Sequence, residues 1–178
     1  MRHIFNSNAI ILAAGVMLCA GYAQAATIGG EVSAVVVEQL TITNQQALNF
    51  GHVTPTAGGG SVTVSTGNAR TVNGGVQVAS SFTRATFKLQ GAPNRSYSIH
   101  TPESQLFVSS EASSDPVLTN SLTVQNFTTF SVTRGAGGAI GKLSNSGQDD
   151  LYLGGTLIVP ENAVPGIYSG LVPVTVSY

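Results

Sequence analysis

Apolar and small polar residues take turns along most of this chain, one position at a time. Ser61-Val62-Thr63-Val64-Ser65 is the cleanest run. Val76-Gln77-Val78, Thr86-Phe87-Lys88-Leu89, Ser96-Tyr97-Ser98-Ile99, Leu122-Thr123-Val124, Leu151-Tyr152-Leu153 and Thr156-Leu157-Ile158-Val159 repeat the pattern. A period of two places alternate side chains on one face of an extended strand, so each run can bury one face and wet the other. No window carries apolar residues at helical spacing behind a capping box. The runs are short, and Gly58-Gly59-Gly60, Asn73-Gly74-Gly75, Gly91-Ala92-Pro93-Asn94 and the glycines from Gly135 to Gly141 separate them. Short strands between turn-forming clusters predict an all-β sandwich or barrel, with Val, Phe and Leu inward and Thr, Ser and Gln outward.

Two segments share a turn style. Ala92-Pro93-Asn94-Arg95-Ser96-Tyr97 and Val164-Pro165-Gly166-Ile167-Tyr168 each lead through a proline turn to a tyrosine that opens a strand. In immunoglobulin-like sandwiches such a tyrosine bonds its hydroxyl back to upstream backbone and closes the corner. Tyr97 and Tyr168 are read in that way. The expected fold is therefore a single immunoglobulin-like antiparallel β-sandwich of about seven to nine strands.

The N-terminus reads differently. Met1-Arg2-His3 is a short basic start, Ala9 to Ala20 is a compact apolar run, and Ala23-Gln24-Ala25 is a small-x-small site followed by Ala26. This is the pattern of a secretory signal peptide cleaved between Ala25 and Ala26. The apolar run falls short of the roughly 20 residues of a membrane-spanning helix. Residues 1–25 are thus expected to be removed on export through the Sec pathway. Residues 26–178 would form one domain, with no integral membrane segment, destined for the periplasm in transit and then for secretion or the cell surface. The single cysteine, Cys19, lies in the leader behind Leu18, where lipidation needs a small residue. The remaining chain has no thiol, so packing and backbone pairing must hold the fold.

The composition argues against several kinds of chemistry. Only 8% of the residues are charged, against roughly 25% in ordinary soluble domains. The formal net charge is −1 with no basic stripe, which speaks against a nucleic-acid partner. Outside the leader, His52 and His100 lie in neither a Gly-x-Ser-x-Gly nor a His-Glu-x-x-His setting. No cysteine or spaced histidine pair offers a metal site, and Asp149-Asp150 reads as a solvated turn rather than a calcium loop. The glycine clusters lack the lysine of a phosphate loop and the spacing of a dinucleotide loop. Ser109 to Asp115 and Gly135-Ala136-Gly137-Gly138 read as surface loops. Neither catalysis nor a cofactor is expected.

The two ends carry the functional expectation. Ile28, Gly30, Val32, Ala34 and Val36 alternate with Thr27, Gly29, Glu31 and Ser33, so one face is apolar and the other small or polar. Such a segment can add itself as a strand to an exposed sheet edge, in this molecule or in another; equally, residues 27–43 can be the first strand of their own sandwich. At the C-terminus Val172, Val174, Val176 and Tyr178 share one face, and Pro173, which has no N–H to donate, marks an edge position or a bulge.

One further signal is the order of several short pieces. Leu48-Asn49-Phe50-Gly51, Gly60-Ser61-Val62-Thr63-Val64, Gly74-Gly75-Val76, Gly91-Ala92-Pro93 with Tyr97, Gly154-Gly155-Thr156-Leu157 and Pro165-Gly166-Ile167-Tyr168-Ser169-Gly170 follow one another over roughly residues 30 to 178. In this order they resemble the bacterial exported family catalogued as domain of unknown function 4402. That family is similar to the spore-coat-U type domains of archaic chaperone–usher pili, in which an N-terminal alternating extension completes a neighbour's sandwich. The resemblance implies a structural, self-assembling surface subunit, pilin-like or coat-like, served by self-association or by a periplasmic chaperone and usher. The other reading left open is a monomeric secreted or outer-membrane-associated adhesin module without catalysis.

Overall fold

In a computed structural model of the chain, residues 28–36, 38–108 and 112–178 are described; Val108 is described in its backbone only. The signal peptide and its Ala25–Ala26 junction lie outside these residues. Among the described residues there are twelve strands: β1 (Thr41–Gln46), β2 (His52–Val64), β3 (Arg70–Ala79), β4 (Ala85–Gln90), β5 (Ser96–His100), β6 (Ser104–Val108), β7 (Ser121–Ser131), β8 (Ala136–Gly137), β9 (Ile140–Lys142), β10 (Gln148–Val159), β11 (Tyr168–Ser169) and β12 (Thr175–Ser177). The fold is all-β with antiparallel sheets, and no helix occurs among the described residues. The strand count exceeds the expected seven to nine because β8, β9, β11 and β12 are ladders of only two or three residues.

The large sheet runs β1-β4-β10-β7-β6-β11, and a second branch attaches β2 and β3 through β10. β10 is the hinge of this plan. Its first half, Gln148 to Leu153, pairs with β4, and its second half, Gly155 to Val159, pairs with β2. Its other edge is covered along both halves by β7. The small sheet is β12-β5-β9.

Alternation along these strands builds two apolar cores. The first gathers Phe50, Val62, Val64, Val76, Leu122, Val124, Leu157 and Val159. The second gathers Ala85, Phe87, Leu89, Tyr97, Ile99, Leu143, Leu151 and Leu153 between the β4–β10 half of the large sheet and the small sheet. Each strand places one side-chain parity inward, as the period of two requires. Phe127 packs against both cores.

A β-bulge sets the position of Phe127. Gly154 pairs with Thr128 and Thr156 with Gln125, so Asn126 and Phe127 together oppose Gly155. Asn126 takes the left-handed conformation, φ 51°, which Asn tolerates better than most residues. The ring lies against Gly155 so closely that a Cβ there would meet it at 2.9 Å.

The described part of the N-terminal unit, 28–35, contains no strand, and its residues are exposed. β1 begins only at Thr41, so the segment 27–43 does not form one continuous first strand over its described residues.

Candidate functional site

The second core is open along one side. β1 ends the large sheet and β12 ends the small one; each pairs with a single neighbour, β1 with β4 and β12 with β5. Leu40 and Ile42 on one edge and Val172, Val174 and Val176 on the other pack against the same buried cluster, yet all five stay only partly buried. The two edges converge at one end, where Leu40, Leu143 and the Tyr178 hydroxyl crowd around Gly91. The Tyr178 hydroxyl accepts a hydrogen bond from the Ala92 amide at 2.6 Å, and the Arg95 guanidinium lies over its ring. The C-terminal valines are therefore pinned at Tyr178 and form one rim of an apolar seam whose other rim is β1. Val176 lies in β12, and Pro173 precedes that strand by two residues. An unpaired strand edge with half-buried aliphatic side chains is a template for one more strand.

The N-terminal set has complementary chemistry. Ile28, Val32 and Val36 are 95%, 97% and 94% exposed, and Gly30 and Ala34 between them are exposed as well. Fully extended, residues 28–36 reach about 26 Å, long enough to run beside the whole of Val172 to Tyr178 at about 20 Å. Burying three such aliphatic side chains contributes about 5–9 kcal/mol gross. Association of two molecules costs a comparable amount in lost freedom, about 4–15 kcal/mol. Main-chain hydrogen bonds along the seam would then decide whether such a joint holds.

Behind the seam, the two sheets are joined by a buried polar cluster. Asp149, only 3% exposed, is on the same parity of β10 as Leu151 and Leu153 and faces inward. Its Oδ2 accepts hydrogen bonds from the Tyr97 hydroxyl at 2.6 Å and from the Ser131 hydroxyl, and its Oδ1 accepts the Thr133 amide at 2.8 Å. Ser131 Oγ in turn accepts the amides of Arg134 and Lys142. Burial pushes the Tyr97 hydroxyl strongly up from its usual range, and the bond to the Asp149 carboxylate pushes it further the same way. The Tyr97 ring lies over Gly141 of β9, where a Cβ would fall 2.1 Å from the ring carbon Cζ.

This arrangement corrects two sequence expectations. Asp149 is not part of a solvated turn; it sits inside a strand, because the Gln148–Leu153 alternation carries it to the core face. Tyr97 does not close a corner onto upstream backbone; its hydroxyl reaches a carboxylate on another strand. Tyr168 does behave as a corner tyrosine, donating to the Val164 carbonyl at 2.7 Å and approaching the Thr119 carbonyl at 3.2 Å. The shared parity of Asp149 with Leu151 and Leu153 was the available signal for the buried carboxylate, and it is readable only once the strand is taken to start at Gln148.

His52 and His100 are both exposed, at the start of β2 and the end of β5. No group of three or more His, Cys, Asp or Glu side chains is placed to hold a metal ion among the described residues. No helix among them is long and apolar enough to cross a membrane. A family model described as a domain of unknown function, DUF4402, matches residues 40–178. No curated protein and no solved structure matches the chain.

Proposed function

The chain belongs to the DUF4402 family, and from that premise we propose that it is an exported, non-catalytic structural subunit that assembles on the cell surface by strand addition between copies. In this reading residues 28–36 of one molecule enter the seam between β1 and β12 of the next. Ile28, Val32 and Val36 fill the apolar rim, while Gly30 and Ala34 let the backbone come close. One observation carries the reading. An alternating apolar segment is exposed and unpaired, and the same chain has two single-partner strand edges sharing one incompletely covered core. Low charge supports it, since neither the segment, with Glu31 alone, nor Val172–Tyr178 carries a charge pattern that would repel a copy. A periplasmic chaperone and usher are the partners this mode of assembly would use.

Sedimentation of the full chain tests the proposal. The wild type is expected to form multimers that grow with concentration. Val32→Asp places a carboxylate in the middle of the apolar stripe and is expected to stay monomeric and folded once a peptide of residues 26–40 is supplied. A wild type that remains monomeric at high concentration, with the amides of residues 28–36 protected from exchange, would show the segment satisfied within its own molecule and would overturn the proposal.

A further inference from the structure

A second feature lies away from the seam, where the chain crosses between the sheets. β8 pairs with β7 of the large sheet and β9 with β5 of the small one, so residues 136–142 bridge the two layers. Beneath this bridge is an open cleft of about 420 Å³, within the range of roughly 300–1,000 Å³ common for small-molecule sites. Ile99 and Phe127 form its apolar part; Thr66, Thr101 and Thr128 line the rest beside the Gly137-Gly138 backbone. No lining side chain bears a charge. The nearby Arg84 is already engaged, donating to the Thr66 carbonyl with its guanidinium 3.5 Å above the Tyr152 ring.

The walls are fixed from both sides. Thr129 Oγ1 donates to the Gly138 carbonyl at 2.7 Å, the Gly138 amide bonds the Thr129 carbonyl, and the Ile99 amide bonds the Ala139 carbonyl at 2.8 Å. The floor is fixed by the Asn126 bulge, which spends a left-handed non-glycine residue to bring Phe127 to this spot. Bulges that re-aim a side chain concentrate beside functional sites. The side-chain hydroxyls of Thr66, Thr101 and Thr128, in contrast, make no hydrogen bond among the described residues, and so remain available to a ligand.

We propose that this cleft binds a neutral saccharide ring. A pyranose has an apolar C–H face and a rim of hydroxyls without charge. The cleft offers the matching set: an aromatic and an aliphatic side chain, uncommitted hydroxyls, and no ion to prefer an anion or a cation. A preformed cleft loses little freedom on binding, which favours even a small ligand. This binding stands independently of strand addition, because no residue of 28–36 or of β12 lines the cleft.

Saturation-transfer NMR on the full chain, with glucose, galactose, mannose and N-acetylglucosamine as separate probes, tests it. At least one sugar is expected to receive saturation at millimolar concentration. Thr128→Val keeps the shape but removes a hydroxyl, and is expected to weaken binding about 3- to 10-fold, the equivalent of one hydrogen bond. Thr101→Leu fills the cleft and is expected to abolish the signal. No saturation of any of the four sugars, or saturation that survives both Thr128→Val and Thr101→Leu in chains whose urea midpoints match wild type, overturns the assignment.

Discussion

The two cores of this molecule are built from the same residue types and finished in different ways. The first draws on the long β2–β3 hairpin as well as on β7 and β10. β2 pairs with the second half of β10 and β3 pairs with β2, and the partly buried Leu48, Val53, Val78, Phe82, Leu106 and Tyr168 pack against its buried cluster. The second is covered on one face by three short strands and is left with half-buried aliphatic residues along two unpaired edges. It also holds a carboxylate, a phenol and a hydroxyl within hydrogen-bond distance, where the first core has no buried charged group. The difference teaches that apolar alternation alone does not say whether a sheet is complete. What completes it is the number of strands the chain can spare for each face, and here the small sheet runs out at β12.

A pair of truncations within the second core separates its centre from its rim. Leu153 is fully buried, and Leu153→Ala is expected to lower stability by about 3 kcal/mol, through lost transfer energy and the cavity left behind. Val174 sits on the rim, and Val174→Ala is expected to lower the stability of the isolated subunit by less than about 1 kcal/mol. Urea unfolding of both variants reads the gap; equal losses would mean that the rim is as well packed as the centre and that the seam is closed.

A second test uses alkali. The folded-state pKa of Tyr97 is raised by burial and by Asp149, so the folded chain keeps the phenol proton that the unfolded chain releases above about pH 10. Stability is therefore complete below that pH and falls as the pH rises beyond it, by at most about 1.4 kcal/mol per pH unit for this one group. Tyr97→Phe is expected to flatten the decline in urea midpoint between about pH 9 and about pH 11. Tyr168 is raised in the same direction by burial, and it belongs to the first core, so an unchanged slope in Tyr97→Phe would move the alkaline sensitivity from the second core to the first.

The smallest effect concerns the corner. Tyr168→Phe keeps the ring against the first core and removes the bonds to Val164 and Thr119. A loss of about 1 kcal/mol in urea unfolding is expected; no loss would mean that the first core is closed by packing alone.

Much of the strand content was legible because the alternating runs are long relative to a turn of chain. Ser61–Val64, Thr86–Leu89, Ser96–Ile99, Leu122–Val124, Leu151–Leu153 and Thr156–Val159 all fall within strands. The inward residues Val62, Val64, Phe87, Leu89, Leu151 and Leu153 follow from parity alone. Pairing was not legible. Nothing local says that one strand, β10, serves β4 with its first half and β2 with its second, because register is fixed by partners distant in sequence. The bulge at Asn126 was equally hidden: Asn126-Phe127-Thr128 looks like an ordinary stretch of strand until Gly155 is set opposite it. In the candidate seam, the alternation of both ends was visible, whereas the shared core behind β1 and β12 required the fold.

The split role of β10 also governs the order in which this fold can form. Gly60 meets Val159, and Gln90 meets Gln148, so neither branch of the large sheet can close until the chain has been made nearly to its end. For a polypeptide that emerges N-terminus first, the β2–β3 hairpin can form early, but its open edge, and that of β4, must wait for β10, which begins only at Gln148. Long-range closure of this kind slows folding and prolongs the exposure of sticky edges. Folding speed is therefore expected to respond to changes in Leu151 to Val159 far more than to changes in the turns, which refolding rates of the two sets of variants would read.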